Sequence, residues 1–110
     1  MTDLKAPAHL KAATRRWWLD VVGTYDLEPH HVKLLTLAAE AWDRAEEARK
    51  AVQQYGLTYD TRLGEPRARP EVAIERDSRL GFARLLRELD LDTEVLSEGR
   101  RVPSLRSNRS

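Results

Sequence analysis

Residues 29–56 read PHHVKLLTLAAEAWDRAEEARKAVQQYG, with no glycine or proline between the first residue and the last. The stretch predicts one continuous helix of about seven turns, roughly 40 Å long at 1.5 Å per residue. A rod of that length dominates a chain of 110 residues. Pro29 suits the first helical position, where a missing N–H costs nothing, and Asp26 and Glu28 bring negative charge to the positive end. Gly56 suits the left-handed residue that closes a helix. Apolar side chains recur at helical spacing through Val32, Leu35, Ala38, Trp42, Ala45 and Val52, with Leu34, Ala41 and Ala48 on a neighbouring line. The alanines keep the middle of the rod thin, so other backbones can approach it. This helix is the expected spine, against which the rest of the chain, and further copies of it, can pack.

A second helical pattern runs from Pro7 to about Val22, placing Leu10, Ala13, Trp17 and Val21 on one face with Trp18 and Val22 beside it. Only Gly23 to Glu28 separate it from the long helix, and so short a link folds two helices back as an antiparallel pair. After Gly56 come β-favouring residues (Leu57, Thr58, Tyr59, Thr61), a turn signal at Gly64 and Glu65, then Pro66 and Pro70. This predicts a short hairpin or an extended loop. Pro70 opens a third helix that ends near Leu89, with Ile74, Leu85 and Leu89 on one stripe and Phe82 and Leu86 adjacent. Ser78 and Gly81 flank the stripe, and a glycine inside a helix costs about 1 kcal/mol relative to alanine, so a close backbone approach is expected there. The reading is a mainly α fold: an antiparallel helical hairpin with one long central helix, a short extended loop or hairpin and a third helix. Residues 1–92 form one domain, and residues 93–110, rich in arginine and serine, form a tail expected to be disordered.

Composition narrows the function. The chain has no cysteine, which excludes disulfides and thiolate chemistry, and no apolar run near the ~20 residues a bilayer requires. No apolar signal core stands at the N-terminus. Charged residues make up 34% of the chain, yet the net charge is only +1, so any nucleic-acid contact must come from local clusters. Three clusters qualify: Lys11, Arg15 and Arg16 beside the tryptophans, Arg62, Arg67 and Arg69 in the segment after Gly56, and Arg100, Arg101, Arg106 and Arg109 in the tail. Each also reads as an ordinary solvated surface. On the long helix, Glu40–Arg44 and Glu46–Lys50 stand four apart in the favourable order, with Asp43, Glu47 and Arg49 completing an exposed charged face. His30 and His31 point about 100° apart on a helix and make poor joint metal ligands. No phosphate-binding glycine loop, metal-ligand cluster or activated nucleophile is present. The chain therefore reads as a binding or assembly module, without cofactor or metal, and not as an enzyme.

The order of motifs is itself informative. RRWWLDVV lies in the first helix, YGL follows the long alanine-rich helix, Gly64 stands in the loop, Pro70 opens the third helix, and LDL closes it. In that order the chain resembles the small terminase subunits of tailed bacteriophages, through Trp18 (or Trp17), Gly56, Leu57, Gly64, Pro70, Leu89 and Leu91. The resemblance spans residues 11–92. Asp90 stands where the family has glycine, and Asp92–Thr93 where it has proline, so the exit from the third helix is expected to differ.

The resemblance implies a non-catalytic subunit acting in the host cytoplasm. It would assemble as a homo-oligomeric ring, bind double-stranded viral DNA and deliver it to the large terminase subunit, which carries the ATPase and nuclease. On that reading the basic clusters touch DNA, and Leu35, Ala38, Trp42, Ala45, Ser78 and Gly81 lie at the subunit interface. The alternative is a small helical protein–protein adaptor or regulator without DNA binding. A major-groove transcription factor is the weakest fit, because the candidate recognition helix is too long and acidic along its middle.

Overall fold

The computed structural model describes residues 4–91. Its elements, in chain order, are α1 (Ala12–Thr24), α2 (Pro29–Tyr55), β1 (Thr58–Asp60), β2 (Pro66–Ala68) and α3 (Pro70–Leu89). The expected spine is there: α2 runs unbroken for 27 residues. The basic tail expected beyond residue 92 lies outside the described residues.

The helix ends show why the boundaries fall where they do. Glu28 and His31 form a reciprocal cap at the start of α2, with Pro29 next to the cap. At the other end Gly56 adopts φ +92°, and its N–H returns to the Val52 carbonyl. Helix α3 closes on Asp90, which takes the left-handed conformation (φ 53°) and donates its N–H to the carbonyls of Leu86 and Arg87. Aspartate tolerates that region better than most side chains, so it closes the helix as a glycine would.

The first helix starts later than the apolar spacing predicts. Residues 7–10 form a turn in which the Leu10 N–H meets the Pro7 carbonyl at 3.3 Å. This turn tucks Leu10, 2% exposed, beneath α1, so its apolar side chain is buried without being helical.

Helix α2 is shared by two neighbours. On one side it carries α1 antiparallel: Asp43 meets Lys11 and Thr14 at one end of the contact, and Thr36 accepts from the Trp18 indole (3.2 Å) at the other. On the other side α3 returns antiparallel along it, joined by the β-hairpin, with Trp42 beside Phe82 (ring centroids 5.2 Å apart). The core sits where the three helices meet, in Leu10, Trp18, Val21, Val22, Tyr25, Leu35, Ala39 and Leu89. Leu35 and Leu89 are fully buried, each worth about 1.5–3 kcal/mol.

Helix α1 has 13 residues, about 20 Å, and covers only the first half of α2. Beyond it, α2 and α3 form a bare two-helix hairpin tipped by the strands. Tyr55, Leu57, Leu63, Ile74 and Leu80 keep solvent-facing surface there, and Leu37 and Trp42 do so within the half that α1 covers. Gly81 makes no close approach within the chain, since a Cβ there would meet nothing within 4 Å. The expected backbone contact at this glycine is absent from the protomer, because none of the described elements covers that edge of α3.

Candidate nucleic-acid interface

The basic residues of α1 divide between structural work and free surface. Lys11 donates its backbone N–H to Asp43 (2.9 Å), and its ammonium pairs with Glu47 (3.2 Å). The Arg15 guanidinium turns back onto the carbonyls of Leu10 and Ala8, fastening the Pro7–Leu10 turn to the helix. Arg16 is exposed and has no hydrogen-bond or ion-pair partner among the described residues. Of this cluster, Arg16 alone presents an uncommitted guanidinium.

The second cluster sits on the hairpin. Strands β1 and β2 pair antiparallel, Thr58 with Ala68, Tyr59 with Arg67 and Asp60 with Pro66. Arg69 is committed: its guanidinium donates to the carbonyls of Gly56 (3.1 Å), Tyr55 (3.3 Å) and Thr58 (3.5 Å) and lies over the Tyr55 ring at 5.4 Å. It clamps the hairpin to the end of α2. Arg67 makes a loose, exposed pair with Glu65 (3.5 Å), an interaction that contributes little. Arg62, in the turn, is exposed and unpaired among the described residues. The third expected cluster, Arg100, Arg101, Arg106 and Arg109, lies outside the described residues.

The protomer does not bring the α1 and hairpin clusters together. Arg16 lies level with the middle of α2 and the hairpin beyond its end, roughly 25 Å apart at 1.5 Å per helical residue. Further unpaired cations lie between and around them, Arg44 and Lys50 on α2 and Arg84 and Arg87 on α3. Arg84 and Arg87 do not stand out in the sequence, and Arg44 and Lys50 read there as the i,i+4 partners of Glu40 and Glu46.

Asp43 differs from what the sequence predicts, and His31 takes a structural role. Asp43 is 9% exposed and not part of the charged surface; it accepts from the Thr14 hydroxyl (2.5 Å) as well as from Lys11. His31 is 2% exposed, and its Nδ1 accepts the Glu28 N–H at 3.0 Å. The proton must therefore sit on Nε2, which is buried without a partner. Burial, reinforced by the neighbouring His30 and opposed by Glu28, holds the His31 pKa below its ordinary value. The expected helix pairs also shift: Glu40 meets His9 and Glu46 meets Arg49, while Glu75–Arg79 forms at 2.9 Å.

Among the six residues expected at a subunit interface, Leu35, Ala38 and Ala45 are buried within the chain itself, and Trp42, Ser78 and Gly81 retain exposed surface. Trp42 borders an apolar groove of about 260 Å³ with Ala13, Thr14, Trp17 and Phe82. The groove holds no polar or charged cluster suited to catalysis. Among the described residues no group of three or more His, Asp or Glu side chains could hold a metal, and no helix is long and apolar enough to cross a membrane.

The family model for the phage terminase small subunit matches residues 15–97. The chain belongs to this family. The terminase small-subunit match takes in Arg15 and Arg16 of α1, both long helices and the hairpin, and stops short of Arg100, Arg101, Arg106 and Arg109. Membership assigns the chain a role in phage DNA packaging, in a family that is generally the non-catalytic partner of the terminase. No curated protein and no solved structure matches the chain.

Proposed function

We propose that this small terminase subunit is a non-catalytic, ring-forming adaptor that binds double-stranded viral DNA and delivers it to the large subunit in the host cytoplasm. The observation that carries the reading is the exposed apolar surface along the α2–α3 hairpin. A protomer of this size leaves Trp42, Leu37, Ile74 and Leu80 between 40% and 52% exposed, with Gly81 open beside them. Large apolar side chains left open in this way gain most from being covered by a partner.

Helical periodicity puts Trp42 and Leu37 on different sides of α2, about 140° apart, and Ile74, Ser78, Gly81 and Leu85 on one stripe of α3, about 70° from Phe82. Two unlike sides favour head-to-tail association, which closes into a ring when the rotation permits. Subunits meet through Trp42, Ser78 and Gly81, with Leu35, Ala38 and Ala45 forming the layer beneath. Symmetry then repeats Arg16, Arg62 and Arg67 around the assembly, so a chain of net charge +1 gains a basic track. Lys11, Arg15 and Arg69 hold the surface in shape, and the four tail arginines supply additional phosphate contacts.

The decisive experiment combines light scattering on a sizing column with duplex-DNA binding at two salt concentrations. A large, discrete, salt-resistant oligomer whose DNA affinity falls steeply with salt is expected. A monomer or dimer at micromolar concentration that ignores DNA overturns the proposal and favours a protein–protein adaptor.

A further inference from the structure

One face of the β-hairpin is composed differently from the rest of the surface. Residues directly opposite in an antiparallel pair point to the same side, and side chains alternate along each strand. The Tyr59–Arg67 pairing therefore places Leu57, Tyr59, Arg67 and Arg69 on one face and Thr58, Asp60, Pro66 and Ala68 on the other. Tyr55 joins the first face through the Arg69 guanidinium stacked on its ring. Tyrosines and arginines thus alternate over one continuous strip, Tyr55–Arg69–Tyr59–Arg67, and Asp60 is turned away from it. Both rings are open to solvent, Tyr55 at 60% and Tyr59 at 42% exposure. No described helix covers them, and the Arg69 clamp fixes the strip relative to α2.

We propose that this strip binds unpaired nucleotides, with bases stacked on Tyr55 and Tyr59 and the intervening phosphates held by Arg67 and Arg62. The inference rests on the DNA-binding reading above and extends it to a second nucleic-acid form. In a duplex the base faces are covered by their neighbours, so exposed tyrosine rings find nothing to stack on. An unpaired strand offers a free face at every base, and stacking of this kind tolerates any sequence. Charge complementarity selects a polyanion over an apolar peptide. Arg67 stands directly across from Tyr59 and Arg62 lies in the turn just past β1, and Glu65 meets Arg67 only at 3.5 Å with both partners solvated. A phosphate can replace so weak a partner.

The test measures anisotropy of a labelled short oligothymidylate, and separately of a labelled duplex, against the full-length chain. Tyr59→Ala and Tyr55→Ala are compared with Tyr59→Phe, which keeps the ring. Because these side chains are exposed, helix content by circular dichroism should be unaltered in every variant. The expected result is that each alanine variant loses roughly five- to one-hundred-fold in oligothymidylate affinity, with Tyr59→Phe and all duplex affinities within about twofold. Alanine variants that retain oligothymidylate binding, or a wild type that binds only duplex, overturn the strip and leave the duplex reading intact. A wild type that binds neither probe removes both readings together.

Discussion

Asp43 of α2 caps α1 across the helix interface, through the Thr14 hydroxyl at 2.5 Å and the Lys11 N–H at 2.9 Å. Lys11 stands at the N-cap of α1 and supplies no side-chain cap of its own. A carboxylate from another helix thus does the work that a serine or aspartate usually does locally, and it also faces the positive end of the α1 dipole.

Asp43→Ala should cost about 2–3 kcal/mol, because it leaves a buried hydroxyl and a helix-end N–H without an acceptor. Urea unfolding at a fixed protein concentration measures it. A decrease under about 0.5 kcal/mol would mean that water replaces the carboxylate.

The depressed His31 pKa makes a prediction with a definite sign. Folding favours the neutral imidazole, so its contribution is fully present above the unfolded value of about 6.5 and is lost as pH falls below that toward the folded value. Protonation at Nδ1 would also remove the acceptor for the Glu28 N–H and set a positive charge at the N-terminal end of α2. Urea midpoints should hold steady from about pH 8 to 7 and decline toward about pH 5. His31→Gln should flatten the decline; an identical slope in that variant would assign it to other groups.

Arg69 should behave as a structural residue although it is half-exposed and carries a charge. Arg69→Ala removes the clamp on three carbonyls, at about 1–2 kcal/mol locally. Hydrogen exchange should accelerate across residues 57–69 while α1 and the core stay protected. An isolated two-stranded hairpin is marginal in water, so unchanged protection would show that something else holds it.

Gly81 separates the fold from the assembly. A Cβ there meets nothing within the protomer, so Gly81→Ala should stabilise the isolated helix by up to ~1 kcal/mol. If a second subunit packs on that edge, the same change should lower the concentration-dependent mass in sedimentation. Trp42→Glu should lower it further. Mass unchanged in both variants would remove this edge and the groove from the interface.

The arginines should sort by role in a salt titration of duplex binding. Arg16→Ala and Arg62→Ala should each reduce the slope of log affinity against log salt by about 0.9 for every phosphate the native side chain neutralises. Arg15→Ala should leave the slope alone and lower thermal stability instead, since its guanidinium is spent on the Leu10 and Ala8 carbonyls.

The helices are legible in the sequence because their signals are local. Pro29, Gly56 and Pro70 mark the ends of α2 and the start of α3, and apolar spacing fills the intervals. Leu10 misleads at the start of α1, because an apolar residue in helical phase can be buried equally well by a turn. Asp43 misleads for a related reason: a charged residue on a helix looks solvated until a partner from elsewhere in the chain is known. The same holds for the site. Residue type picks out the basic clusters, but which guanidiniums remain free depends on carbonyls that only the folded backbone presents, as Arg69 and Arg15 demonstrate.

The three tryptophans are placed at graded depths, Trp18 sealed at 2% exposure, Trp17 half-buried and Trp42 open at 45%. Indole emission moves to shorter wavelength as water is withdrawn, so Trp18 acts as a fixed internal standard while Trp42 responds to whatever covers the groove. If copies of the chain dock over this groove, the unlabelled protein carries its own optical gauge of that docking, readable in a simple dilution series.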